Sequence, residues 1–405
     1  MKNNFMLTSE SVTEGNPDKL CDIISDAIVD HFLEQDPYSR IIAECSLSAS
    51  IVFIAARFAS QAAFSLSEIA RKVIGRVGYR GPDFNASTSS VLTSIKELSL
   101  EPGYRFDERK LTRRQIEAMP AGNQVTTFGF ACRQNAALMP LPIWLAHKLS
   151  RRMAEAAKEK ILPYLCPEAK TDVGIEYLDR KPSRIHSITI TASQKDPETP
   201  GLSRLRADIR EAVIEHVFRD EPLRPDQRTE IFINPEGIFH LGGPSVHSGL
   251  TGRKTSIDTY GDYSRHSGAA LSGKDPLRID RVGAYAARYA AKNLVAAELA
   301  DECEVQLSYS IARSRPESVQ VETFGTGKIS DEELTLLLEN NFDFRLAAIV
   351  RDFELRRLPA SSQGGFYQKL AVYGQVGRLD LNLPWEKTDK VELLKRQDKR
   401  VSQAG

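Results

Sequence analysis

The residues best able to do chemistry fall into two constellations. The first, TSESVTEGNPDK from Thr8 to Lys19, crowds Glu10, Asp18 and Lys19 into a loop that opens a helix. Free backbone N–H groups at a helix start attract anions. A carboxylate at Asp18 can instead hold Mg2+, a hard cation that prefers oxygen ligands and bridges phosphate oxygens. An N-terminal cap followed by first-turn acids fits the same residues, and this stretch alone leaves both readings open.

The second constellation runs from Phe232 to Arg281 as FINPEGIFHLGGP, SVHSGLTGRKTSIDTYG and SRHSGAALSGKDPLRIDR. Its glycines let backbone approach a ligand closely. Arg253, Lys254, Lys274 and Arg278 supply cations, and Asp258, Asp275 and Asp280 supply metal ligands or hydrogen-bond anchors. Such a mixture suits a polyphosphate, the plainer alternative being tight surface turns with solvated basic residues. Gly268 to Lys274 formally fits GxxxxGK, but Asp275 follows where Ser or Thr is needed. No strong hydrophobic strand leads in, and a Walker loop is rejected.

These residues need a scaffold. Pro17 to Glu34 reads as a helix capped by Asn16, with Leu20, Ile23, Ile24, Ala27, Ile28 and Phe32 at helical spacing. One strand is predicted over Arg40–Ala59 and a helix over Ser67–Val77. The alternation continues with a strand from Arg184, a helix over Leu205–His216, an Ala-rich helix from near Arg281 and a strand from Glu304. Three rough rounds of strand and helix permit three similar α+β units. The Arg- and Lys-rich stretch 101–122 reads as a mobile loop or linker, and the polar end KVELLKRQDKRVSQAG is expected to fray.

The bulk properties narrow the partners. A chain of 405 residues favours two or three domains, and 54 basic against 54 acidic residues give no global field for nucleic acid or membrane. Small-molecule partners are therefore expected. Cys21, Cys45, Cys132, Cys166 and Cys303 are scattered without a CxxC pair, as free thiols in a reducing compartment would be. The opening MKNNFMLTSE has no apolar core and no run of about eighteen apolar residues occurs, so a cytoplasmic location is expected.

In order along the chain stand TSESVTEGxPDK, FINPxGxFxxGGP, GLTGRKxxxDTYG, SGKDPxxxDRxxAYAARYxAKN, SYxIxxxxPxSxxVETFGT and PWEKTDK. From about Leu7 to Leu394 the chain thus resembles the S-adenosylmethionine synthetases, or methionine adenosyltransferases, and is identified as a divergent member. The resemblance implies an α+β fold of three similar α/β-sandwich domains about a pseudo-threefold axis. The expected divisions are 5–106, 116–239 and 240–394, followed by a polar tail over 395–405. It also implies a dimer or tetramer with active sites shared between subunits. The family reaction joins methionine sulfur to the 5′ carbon of ATP, expels triphosphate and cleaves it to phosphate and diphosphate, with Mg2+ and K+.

Carried over residue by residue, the resemblance makes Asp18 and Asp280 the Mg2+ ligands and Glu44 the K+ ligand. Glu168 and Lys170 lie in PEAK, which resembles the family's PDAK nucleotide contact, and Arg253, Lys254 and Lys274 match the phosphate-binding cations. Phe239 matches the adenine-stacking residue, Ala270 a backbone contact to ATP and Ile311 an apolar wall.

The departures concentrate in the amino-acid pocket. Asn16 replaces the His of GHPDK, a donor to the leaving triphosphate, and can donate a hydrogen bond but never carries charge. Family GGE aligns with Ala55-Ala56-Arg57, GDQG with Gly122-Asn123-Gln124-Val125, and an Asp before GLTGRK with His247, so three carboxylates have gone. Tyr104 or Arg105 takes the place of a gating-loop Gln, and Arg278 that of a Lys. A guanidinium about 4 Å from a substrate ammonium costs roughly 4 kcal/mol at an effective dielectric near 20. Unless Arg57 turns away to pair with an acid, the resemblance therefore implies an adenosyltransferase with an altered acceptor pocket of Arg57, Tyr104, Asn123, His247, Arg278 and Ile311. Ordinary S-adenosylmethionine synthesis and a non-catalytic ATP-binding regulatory partner are the alternatives.

Overall fold

The computed structural model describes residues 3–100, 103, 105–195, 200–240 and 242–404, with side chains described to 397. Its eleven strands form three sheets among the described residues. The first is β1 (Phe5–Val12), β6 (Leu165–Leu178), β7 (Lys181–Gln194) and β8 (Glu230–Ile233), in that order. The second is β4 (Ser90–Glu97), β3 (Ile51–Ala59), β2 (Arg40–Ser48) and β9 (Gly249–Leu250), and the third is β11 (Ser318–Glu322), β10 (Glu302–Tyr309) and β5 (Val125–Cys132).

Each sheet borrows one strand from another part of the chain. β1 pairs antiparallel with β6, β5 with β10 and β9 with β2, so each of the three stretches lends a strand to a neighbour's sheet. Such long-range pairing is set by tertiary register and leaves no mark in local sequence pattern. Against the sheets pack long helices over Pro17–Gln35, Leu141–Lys158 and Ile279–Ala296. The strands alternate inward and outward residues as a half-buried sheet requires, β2 placing Ile41, Ala43, Cys45 and Leu47 inside.

The 17–35 helix is buried on nearly every side, with Leu20, Ile23, Ile24, Ala27, Ile28 and Phe32 all in the core. Asn16 caps it as predicted, its Oδ1 accepting from the backbone N–H of Asp18 (3.1 Å) and Lys19 (3.4 Å). The five cysteines are free thiols. No helix among the described residues is long and apolar enough to cross a membrane.

Several boundaries differ from the expectation. The single strand over Arg40–Ala59 is a hairpin, β2 and β3, turning at Ala49, which adopts a left-handed φ of 48°. That conformation usually calls for Gly or Asn, so the sequence carries no turn signal there. The Leu205–His216 helix begins at Leu202 and widens into a π-helical turn over Arg210–Glu215. The polar tail is not frayed: Val391–Ala404 is helical, anchored by buried Leu394.

The 101–122 stretch departs furthest from its reading as a mobile linker. Its described part holds short helical turns at Glu108–Lys110 and Arg113–Glu117 and is pinned by charge. Arg105 pairs with Asp36 at 2.9 Å, Asp107 with Arg357 at 3.4 Å, and Glu117 with both Arg315 and Arg345 at 2.9 Å. Phe106 lies under the Arg356 guanidinium at 4.7 Å, and Ile116 packs on Ala347 and Ala348. Most of these partners lie more than 190 residues away, which is why the stretch looks solvated in sequence.

Candidate functional site

Three cationic side chains stand on two loops that meet. Gly249 and Leu250 extend the second sheet through β2, and the chain then turns through Thr251 and Gly252 to Arg253 and Lys254. The 268–274 loop returns beside it, and Lys274 forms a lone antiparallel bridge with Ile42 on the same β2. Gly252 has φ +81°, and a Cβ there would stand 2.3 Å from the Cβ of Ala270, so only glycine lets the loops abut. Ala270 thus lies against Gly252, one residue before Arg253.

The 17–35 helix holds both loops through a row of aspartates, of which only Asp18 was expected to act. Asp18 accepts from Leu250 N at 3.0 Å, Asp22 from Gly252 N at 2.8 Å and Asp26 from Gly273 N at 2.8 Å. Asp30 accepts from the N–H groups of Phe366, Tyr367 and Gln368 at 2.8–3.0 Å. The four-residue spacing puts all four on one helix face, and acids at i, i+4, i+8 and i+12 in an otherwise apolar helix were a visible signal. Burial alone would lower the pKa of Lys19. Its contacts with Asp22 and Asp258 outweigh that and hold the buried ammonium above the usual lysine range.

The predicted nucleotide residues lie on these two loops, on β6 and on the segment that follows β8. Arg253 Nη1 sits 3.6 Å from Asp18 Oδ1, and Lys254 Nζ 2.6 Å from Glu10 of β1. Lys274 Nζ is 3.5 Å from Asp280 Oδ1, and burial lowers its pKa. Glu168 is buried, takes the Gly243 N–H and thereby fixes the Gly242–Gly243 turn, while its Oε1 has no partner among the described residues. Lys170 stands on β6 between Val12 and Thr191. Phe239 is half-buried and stacks on no other described aromatic ring, and its carbonyl takes the Gln194 N–H. His247 is exposed, beyond the same turn.

The oxygens left over fit Mg2+. Asp18 and Asp280 each use Oδ1 in the contacts above, and neither Oδ2 has a hydrogen-bond partner among the described residues. No group of three His, Cys, Asp or Glu residues that could hold a metal occurs among the described residues. Mg2+ is commonly held in this way, by one or two carboxylates with phosphate oxygens and water filling the remaining positions. Glu44 points from the outer face of β2, and its carboxylate has no described partner, so it can contribute one oxygen to K+.

Of the residues assigned to an acceptor pocket, Arg57 and Asn123 lie beside this cluster. Ile42 pairs with Arg57 on one side and Lys274 on the other, so Arg57 and Lys274 share the outer face about 10 Å apart at Cα. Arg57 is exposed and pairs with no acid among the described residues. Asn123 Nδ2 donates to Asp280 Oδ1 at 2.8 Å. The loop bearing exposed Ile311 is tied to the same place, with Ala121 N donating to Arg313 O at 2.8 Å. Arg278 instead turns to Asp275 at 3.7 Å. Asp275 accepts from Ile41 N and Leu277 N, an anchor quite unlike a Walker loop. Tyr104 lies outside the described residues.

One neighbour sets a pH signature. Asp172 of β6 faces Glu10 across the strand pair, and burial, with the charges of Glu10 and Asp262, pushes its carboxyl up to about 6. A carboxyl raised above its ordinary 3.8 binds its proton more tightly when folded, so stability is full below about pH 4 and is lost as pH rises through 6. Asp172→Asn removes that loss. Thermal melts are expected to show the variant more stable at pH 8, by on the order of 1 kcal/mol after solvent screening, and unchanged at pH 4.

Known proteins match the chain along most of its length. The chain matches the S-adenosylmethionine synthetase N-terminal domain over residues 4–100, the central domain over 118–239 and the C-terminal domain over 241–387. It is 46% identical to the S-adenosylmethionine synthase of Trichormus variabilis over 98% of this chain and 97% of that one. It is 47% identical to that of Gloeobacter violaceus over 97% of each chain, and 45% to that of Synechococcus elongatus over the whole of both. With three domain matches in order and full-length relatives far above 30% identity, the chain belongs to the S-adenosylmethionine synthetase family.

Proposed function

We propose that the chain transfers the adenosyl group of ATP to a sulfur nucleophile, releasing triphosphate and then cleaving it to phosphate and diphosphate. The observation that carries this reading is the meeting of Arg253, Lys254 and Lys274 beside two carboxylates that each keep a free oxygen. Sulfur attacks the 5′ carbon, its lone pair forms the new bond, and the carbon–oxygen bond breaks toward the triphosphate. The charge gathering on that leaving group is met by the three cations, fixed before the reaction begins. Mg2+, when bound, neutralises further phosphate charge. Phe239 offers a face to the adenine, and Glu168 and Lys170 hold the adjoining turn and the nucleotide.

For the acceptor, the guanidinium of Arg57, which pairs with no acid among the described residues and shares a sheet face with Lys274, favours a thioether that ends in an anion without a free ammonium. The second reading is methionine itself, favoured by relatives of 45–47% identity that carry the name S-adenosylmethionine synthase. Incubation with ATP, Mg2+ and either L-methionine or its deaminated methylthio-carboxylate analogue, read by mass spectrometry, separates them. Adenosylated analogue with little adenosylated methionine supports the first, the reverse supports the second, and no adenosylated product removes both.

The same outer sheet face exposes Ile51, Phe53, Leu92 and Leu250, an apolar area that a second copy would cover, so the active form is proposed to be a dimer or a larger assembly. Sedimentation as a single chain would remove that part.

Asn16→His tests the triphosphate side. It gives up a helix cap, a cost of about 1 kcal/mol, and supplies a donor able to carry charge. Phosphate release from ATP is expected to rise roughly tenfold or more while the melting temperature falls. An unchanged or slower rate excludes a triphosphate role for position 16.

A further inference from the structure

We propose that Asp22 is a positioning residue that, with Asp26, sets the separation of the two cationic loops to that of a bound polyphosphate. The proposal rests on the adenosyltransferase reading above.

A helix rises about 6 Å over four residues, and this helix is buried on nearly all sides, so its rungs cannot drift. The Asp22 rung holds Gly252 N, one residue before Arg253 and two before Lys254. The Asp26 rung holds Gly273 N, one residue before Lys274, and binds Arg281, the neighbour of Asp280. Lys19 extends the grip, since its ammonium joins Asp22 to Asp258, the last residue of the short helix that follows Lys254. Both ends of the 252–258 segment are thereby fixed to one carboxylate. Because Gly252 abuts Ala270, neither loop can move without the other. Asp30 extends the same row but docks the 366–368 segment, which carries none of these cations.

Asp22 allows a discriminating set of changes. Asp22→Ala removes the acceptor for Gly252 N. Asp22→Asn keeps an acceptor oxygen and leaves Lys19 matched by Asp258 alone. Asp22→Glu keeps the charge and lengthens the rung by one methylene.

The experiment titrates full-length protein with magnesium tripolyphosphate by calorimetry, alongside thermal melts and the kcat and KM for ATP. Asp22→Ala and Asp22→Glu are expected to weaken tripolyphosphate about tenfold or more, and Asp22→Asn to stay within about threefold of the wild type. Asp30→Asn should lower the melting temperature and leave tripolyphosphate affinity within about twofold. Should Asp22→Ala fail to fold, Asp22→Glu carries the comparison. Wild-type protein that takes up no tripolyphosphate overturns the adenosyltransferase reading itself. Wild-type binding matched by Asp22→Ala or Asp22→Glu overturns the positioning role alone, as does an Asp30→Asn loss of equal depth or an Asp22→Asn loss as deep as that of Asp22→Ala.

Discussion

Arg57→Glu is expected to raise the affinity for an acceptor with a free ammonium and lower it for one that ends in a bare carboxylate. At an effective dielectric near 20, a unit charge about 4 Å from the ammonium is worth roughly 4 kcal/mol, and exposure on an open strand reduces this to about 1.5–3 kcal/mol. The shift is therefore roughly ten- to a hundredfold, in opposite directions for the two acceptors. Calorimetric titration of wild type and variant with L-methionine and its deaminated analogue, each with a non-hydrolysable ATP analogue and Mg2+, checks the crossing. Parallel shifts, or none, would place Arg57 outside the acceptor pocket. The crossing follows from the position of Arg57, which shares a sheet face with Lys274 and meets no acid among the described residues.

Asp26→Ala is expected to be the most destabilising single change, by about 3–5 kcal/mol. Asp26 and Arg281 are both fully buried and joined by two hydrogen bonds of 2.7–2.8 Å. Without Asp26 the guanidinium keeps only neutral partners, the Tyr285 hydroxyl, the Lys274 carbonyl and the Tyr367 ring, and Gly273 N loses its acceptor. Arg281→Met in the same background removes the stranded charge and is expected to recover a large part of the loss. Urea unfolding at fixed protein concentration measures both. A double variant no more stable than Asp26→Ala would mean that the buried charge is not the source of the loss.

The sequence made some of this plain and hid the rest for physical reasons. Asn16 and the helix behind it were legible because a cap and a 3.6-residue apolar period are local properties. The two cationic loops were visible by composition, since Arg253, Lys254 and Lys274 stand among glycines and aspartates in one short stretch of chain. The hairpin at Ala49 was not, because a residue with no special turn preference adopts the left-handed conformation there. Nor was the 105–117 strap, whose Arg and Glu residues read as solvated until Asp36, Arg345 and Arg357 come alongside. The strand exchange among the three sheets lay beyond any window of neighbouring residues. Of the aspartate row only Asp18 stood out, since the period of Asp22, Asp26 and Asp30 is local but their partners are remote.

That row also bears on how the chain is made. The acceptors on the first long helix wait for donors that lie 230 to 338 residues further on. Until those donors are made, water must serve the four carboxylates, apart from the Lys19 ammonium beside Asp22 on the same helix. The first sheet likewise consists of β1 alone until the middle of the chain emerges, and the second lacks β9 until Gly249 has been added. Each third of the protein needs a strand from another third to complete its sheet, and the first long helix is fully docked only once residues 366–368 have emerged.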